Sequence, residues 1–320
     1  MTSDYPAPLI IPPRALPHKQ TFILLHGRGS WAEKFGPHNH PQGQTPGPPP
    51  PPPTTTTVQT LAAAFPHARF VFPTAARRRA TTYRRAYAHQ WFDNWKLDPP
   101  ATDREELQMP GLRETTAYLH GLLRAEIDAV PGGAANVVLG GLSQGCAAAL
   151  VALLLWEGPP LATAFGMCGW LPFAARLVEE AVAGGGRGDA KGKGDDDDVE
   201  EEDDLFETGE DESAGEDGTE QDPTVTAIRW LRDELELFGE DVHGRRMGSV
   251  FQQTPVFLGH GVEDDRVSAI LGRNAAACLE TLGVRTFHFN EYEGLAHWYS
   301  GEMLRDIVKF LKMSTRWEEG

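Results

Sequence analysis

Short apolar runs alternate along the chain with longer stretches whose apolar residues recur at helical spacing. Residues 21–25, 69–72, 137–139, 161–167 and 255–258 read as buried strands, and 286–292 alternates as a half-buried one. Between them, Leu112, Leu119, Leu123, Ile127 and Val130 keep helical spacing until Pro131-Gly132-Gly133 stops the run. Further helices are expected at 61–65, after Ser143 to Trp156, from Asp222-Pro223 with Ile228, Leu231, Leu235 and Phe238 on one face, over 269–282 closed by Gly283, and over 301–311. Strands alternating with helices predict an α/β fold, a mostly parallel sheet covered by helices on both faces.

Two stretches break the pattern. Residues 36–57 hold six consecutive prolines, Pro48 to Pro53, followed by Thr54 to Thr57. Such a run adopts polyproline II and joins neither sheet nor helix, so it reads as a surface insertion. Residues 184–222 are dominated by glycine and acidic side chains, with hardly an apolar residue beyond Leu205 and Phe206. Their burial cannot offset the entropy of ordering them, and the segment reads as a disordered acidic insertion. The reading is therefore one α/β domain built from 1–183 and 223–320, interrupted by two low-complexity insertions.

Composition changes this picture in three places. The net charge is −17, but sixteen Asp and Glu between Asp195 and Glu220 account for all but one of those charges. The rest of the chain is nearly neutral, and no nucleic-acid partner is expected. The first residues lack a secretory signal and a glycine at position 2, and no apolar run reaches membrane-spanning length, so no stable membrane insertion is expected. Three cysteines, Cys146, Cys168 and Cys278, lie in apolar segments and read as buried free thiols. Together these features predict a cytoplasmic protein.

Candidate chemistry centres on Gly141-Leu142-Ser143-Gln144-Gly145, a G-x-S-x-G sequence between a strand and a buried helix. That context is the one in which a serine sits at a strained turn with its hydroxyl exposed and the following amide, that of Gln144, facing a developing oxyanion. The loop His26-Gly27-Arg28-Gly29-Ser30 follows an early strand, where the amide of Arg28 is the candidate second donor. A serine nucleophile needs a base, itself oriented by a carboxylate. Ser143, Asp264 and His297 each follow a strand, in the order Ser, Asp, His of α/β-hydrolases. His260 and His288 are rivals for the base, but only His297 lies between the last strand and the last helix.

Two further clusters admit two readings each. Arg77, Arg78, Arg79, Arg84 and Arg85 form either a solvated loop or an attractor for an anionic partner at the mouth of the site. The run Trp91-Phe92-Asp93-Asn94-Trp95 either lines an apolar substrate channel or packs on the core.

The chain resembles the acyl-protein thioesterase, or phospholipase/carboxylesterase, family of α/β-hydrolases. The resemblance is carried by Leu25-His26-Gly27, Trp31 to Phe35, Trp91-Phe92-Asp93, Gly140 to Gly145, Trp170-Leu171-Pro172, His260-Gly261 with Asp264, and Tyr292-Glu293-Gly294 with His297. It implies Ser143 as nucleophile, Asp264 and His297 as partners, the amides of Arg28 and Gln144 as oxyanion hole, and no cofactor or metal. The candidate substrate contacts are Trp91, Phe92, Trp170 and Leu171. The implied reaction is hydrolysis of thioesters on acylated proteins, or of small esters or lysophospholipids. A catalytically silent binding protein on the same fold is the alternative from a different class. Val262, Asp265, Ser30 and Cys146 stand where the family usually has other residues, which bears on substrate choice more than on reaction class.

Overall fold

The computed structural model describes residues 4–36, 60–185, 222–237, 250–315 and 317. In chain order the described elements are β1 (Leu9–Ile11), β2 (Gln20–Leu25), α1 (Ala32–Phe35), α2 (Leu61–Ala64), β3 (Ala68–Phe72), β4 (Arg77–Ala80), β5 (Ala86–His89), α3 (Met109–Ala129), β6 (Val137–Leu142), α4 (Gln144–Leu154), β7 (Thr163–Met167), α5 (Ala174–Gly185), α6 (Pro223–Glu234), β8 (Val256–Gly261), α7 (Ala269–Thr281), β9 (Phe287–Tyr292) and α8 (Gly301–Ser314).

Seven strands make one sheet in the order β1-β3-β2-β6-β7-β8-β9, antiparallel only where β1 meets β3. Period-two alternation sends neighbouring side chains to opposite faces, so each central strand feeds two cores. Ile23, Leu25, Val137, Leu139, Val256 and Leu258 point to the layer containing α3, α4, α5, α6 and α7. Phe22, Leu24, Val138, Phe165, Phe257 and the apolar stripe of α8 (Met303, Leu304, Ile307, Val308, Leu311) form the other layer with α1 and α2. Because β2, β6, β7, β8 and β9 run parallel, their carboxyl ends share one edge. Leu25 pairs with Gly141, Leu142 with Met167 and Gly261 with Tyr292. The segments leaving that edge begin at His26, Ser143, Cys168, Val262 and Glu293.

The arginine-rich stretch is not an open loop. It forms an antiparallel β4–β5 hairpin, with Arg77 opposite His89 and Arg79 opposite Tyr87, and with Arg84 and Arg85 in left-handed backbone at its turn. Helix α5 runs through Gly185, past the expected boundary at 183, and packs against α6, whose first turn is capped by the Asp222 carboxylate accepting from the Thr224 amide at 2.9 Å. Nearly all of the proline-rich stretch (36–57) and of the acidic stretch (184–222), together with Phe238, lies outside the described residues. Among the described residues no helix is long and apolar enough to cross a membrane. All three cysteines are free and buried.

Candidate active site

The serine elbow is built by close approach. Ser143 follows the last residue of β6, precedes the first of α4, and has φ 56° and ψ −121°. Such backbone costs of order 1–3 kcal/mol and persists only where its surroundings enforce it. Here the Ser143 amide donates to the Met167 carbonyl at 2.8 Å, and its carbonyl accepts from the Ala147 amide at 3.1 Å. A Cβ on Gly141 would collide with the Gly145 carbonyl group, and one on Gly145 with the carbonyls of Leu25 and His26. Only glycine lets α4 start this close to β2 and β6. Every residue of α4 is buried, so the helix that follows Ser143 is anchored on all sides.

His297 and Asp264 reach Ser143 from the two neighbouring loops. His297 Nε2 lies 2.9 Å from Ser143 Oγ, and His297 Nδ1 lies 2.7 Å from Asp264 Oδ2. The loops are stitched together by the Val262 amide donating to Tyr292 and the Glu263 amide donating to Leu295. Asp264 Oδ1 accepts from the amides of Arg266 and Val267, each at 2.9 Å, while Oδ2 also lies 3.3 Å from His260 Nε2. Burial alone would raise the Asp264 pKa. The donors from His260, His297, Val267 and Arg266 outweigh it and hold the carboxyl well below its usual range. Its neighbour Asp265 is exposed. A carboxylate ionised at Oδ2 keeps the proton of His297 on Nδ1 and leaves Nε2 free to accept one.

The first loop is locked beside the elbow. Buried His26 donates from Nδ1 to the Gly27 carbonyl at 2.8 Å and accepts the Ala75 amide at Nε2 at 3.0 Å, an arrangement open only to the neutral ring. Burial brings its pKa down to about 4. Trp91 Nε1 donates to the His26 carbonyl at 2.8 Å, and the Gly29 amide donates to His89 at the end of β5 at 2.8 Å. The Gln144 side chain is fully engaged: Oε1 accepts from the Trp91 amide and Nε2 donates to the Phe92 carbonyl. Arg28 and Gln144 line the same cleft as Ser143 and His297.

A family model described as phospholipase/carboxylesterase matches residues 51–200 and 244–315. The chain belongs to the phospholipase/carboxylesterase family. Relatives include acyl-protein thioesterase 1 of Candida albicans, 41% identical over 59 residues, or 18% of this chain and 26% of that protein. Acyl-protein thioesterase 1 of Saccharomyces cerevisiae is 28% identical over 156 residues, 48% of this chain and 60% of that protein. The chain thus spans between about a quarter and three-fifths of the length of the curated relatives it matches. In three dimensions it is similar to the crystal structure of Zea mays acyl-protein thioesterase 2, with a TM-score of 0.60 and 19% identity, covering 97% of this chain and 99% of that one. The fold is the α/β-hydrolase fold.

In this family member the cleft beside Ser143 has a volume of about 350 Å³. Its walls correct three of the four expected substrate contacts. Trp91 and Phe92 are wholly buried and line no part of the cleft. Their backbone is tied down by Gln144, and Phe92 packs edge-on against Trp170 at 5.9 Å, supporting the cleft wall from behind. Leu171 faces a neighbouring cavity of about 380 Å³, and Trp170 lines both. The wall is supplied instead by Asn94 and Trp95, a few residues further along the same aromatic run, by Thr82 and Tyr83 at the hairpin turn, and by Trp298 beside His297. The aromatic run signalled the right loop; which of its members face inward depends on the hydrogen bonds to Gln144, which sequence does not display. In the sequence His260 reads as a rival base and as part of the His260-Gly261 pair; the structure puts its ring against Asp264.

Proposed function

We propose that this chain is a serine hydrolase of carboxylic esters and thioesters, with acylated proteins as its substrates. The observation that carries the reading is the unbroken line from Ser143 Oγ through His297 to Asp264, at 2.9 and 2.7 Å, on a strained elbow. Ser143 Oγ attacks the acyl carbonyl as His297 Nε2 takes its proton. The Asp264 carboxylate stabilises the imidazolium, and the amides of Arg28 and Gln144 receive the oxyanion. His297 then protonates the departing thiol or alcohol, and water activated by the same ring releases the acid from Ser143. Acyl-protein substrates are favoured over simple esters by the names of the sequence relatives. Residues 1–185 and 222–320 form the catalytic unit, with 36–57 and 186–221 as insertions.

The test is kcat/KM across thioesters and oxyesters of graded chain length, including S-acylated peptides. Turnover of the acyl thioesters ahead of short oxyesters is expected. A preference for short oxyesters alone would make the protein a small-ester carboxylesterase, and no turnover at all would refute the hydrolase reading.

A further inference from the structure

The charge around the cleft is opposite in sign to that of the chain. The sequence carries −17 net charges, yet the cleft walls hold Arg28, Lys34, Lys96 and Arg266 and neither Asp nor Glu. These cations come from three segments: the loop after β2 with the short helix α1 that follows it, the stretch after Asn94, and the loop that carries Asp264. They all line the cleft and come from separate parts of the chain. None of the four forms an ion pair among the described residues. Two rest on aromatic faces, Arg28 over Tyr83 at 5.7 Å and Lys34 over Trp31 at 5.4 Å, contacts that hold a cation without cancelling its charge.

The carboxylates of the same segments lie outside the cleft walls. Asp93 offsets part of the Arg28 charge while its two oxygens accept from the amide and hydroxyl of Thr81, which leaves Lys34, Lys96 and Arg266 as the exposed cations of the walls. Glu33, Glu263 and Asp265 are exposed on the same segments and lie outside the cleft walls. Just past Thr82 and Tyr83, the hairpin turn adds exposed Arg84 and Arg85. A concave mouth lined by one sign of charge focuses its field outward and selects partners of the opposite sign.

We infer that the scissile acyl-cysteine of the substrate lies in an acidic peptide segment, whose Asp and Glu side chains meet these cations. The inference rests on the hydrolase reading above and specifies the flank of its substrate. A neutral acyl chain gains nothing from cations, so they address the leaving-group side. Cations spread over three segments suit an extended peptide with several carboxylates better than one compact anion, which calls for converging donors. The chemistry is unchanged: the carbonyl carbon–sulfur bond breaks, the thiolate takes the proton held by His297, and water supplies the hydroxyl of the released acid.

The experiment compares S-octanoyl cysteine peptides that differ only in their flanking residues, all Glu, all Gln or all Lys, at low and at physiological salt. The ratio of kcat/KM between peptides is read within one protein, so the chain's own acidic run is common to every arm. The Glu peptide is expected to exceed the Gln peptide by about tenfold at low salt, from several exposed pairs each of modest strength, with the Lys peptide slowest. The advantage should shrink at physiological salt, where the screening length is about 8 Å. Reversing the exposed cations together, Lys34→Glu, Lys96→Glu and Arg266→Glu, should invert the ratio; the milder Lys96→Gln with Arg266→Gln should bring it towards one. A ratio near one in the native protein overturns the inference while leaving the hydrolase intact. So does a ratio that survives both sets of substitutions. Failure to cleave any ester would instead remove the hydrolase reading, and this inference with it.

Discussion

Two imidazoles and two backbone amides converge on the Asp264 carboxylate, whereas Asp265 one residue on is exposed. Replacing Asp264 by Asn should reduce kcat by roughly four orders of magnitude, because the orienting charge is lost and the tautomer of His297 is no longer fixed. Asp265→Asn should leave turnover nearly normal. Steady-state kinetics on a neutral ester checks both, and a large loss confined to the Asp265 variant would reverse the roles. In the sequence, only the family resemblance singles out Asp264 after His260-Gly261, and the structure sets that carboxylate, not Asp265, against His297. The part played by His260 was not legible there. Its place in the turn after the expected strand 255–258 did not reveal it, and its contact with Asp264 depends on a turn that brings Val267 back over the ring, with His260 Nε2 2.8 Å from the Val267 carbonyl.

Alternation of apolar runs and helical spacing made most elements readable, since each buried strand carries its own periodicity. The β4–β5 hairpin escaped because its first strand is nearly all arginine, with no apolar face to reveal it: Arg77 and Arg79 are exposed, and Arg78 pairs with Glu114 at 2.6 Å. Helix α5 escaped because it runs into a glycine-rich boundary. Its end bears on the acidic stretch. A Cβ on Gly184 would lie 3.3 Å from Pro223 Cα, so the chain leaves and re-enters the fold at neighbouring points. A short Gly-Ser linker in place of residues 186–221 can therefore close the gap. Loop closure changes by only about 0.6 kcal/mol per doubling of length, so stability should be unchanged or slightly higher. Hydrolysis of a neutral short-chain ester should stay within about tenfold of the native rate, equivalent to about 1.4 kcal/mol. A larger drop in kcat/KM would mean that the acidic stretch contributes to the site.

Across the whole molecule, the parallel strands deliver the serine, carboxylate, histidine and first-loop segments to one edge, and the stability of that edge should depend on pH. Buried His26 has its pKa lowered to about 4 from an ordinary 6.5. Between those values the unfolded chain binds a proton that the folded chain refuses, so stability falls as pH drops through this window, by up to roughly 3 kcal/mol. His26→Gln, which keeps one donor and one acceptor, should flatten that dependence. Urea midpoints at pH 7 and pH 5 measure it, and equal slopes in both proteins would dissociate His26 from the effect. The central claim is that one serine, activated by one histidine, attacks acyl carbonyls. A fluorophosphonate probe reports this directly, because it phosphonylates only a hydroxyl that already has its base in place. With mass-spectrometric mapping, the expected result is a single adduct on Ser143, absent in Ser143→Ala and strongly slowed in His297→Gln. Labelling that persists in folded Ser143→Ala, or an unlabelled native protein, would contradict it.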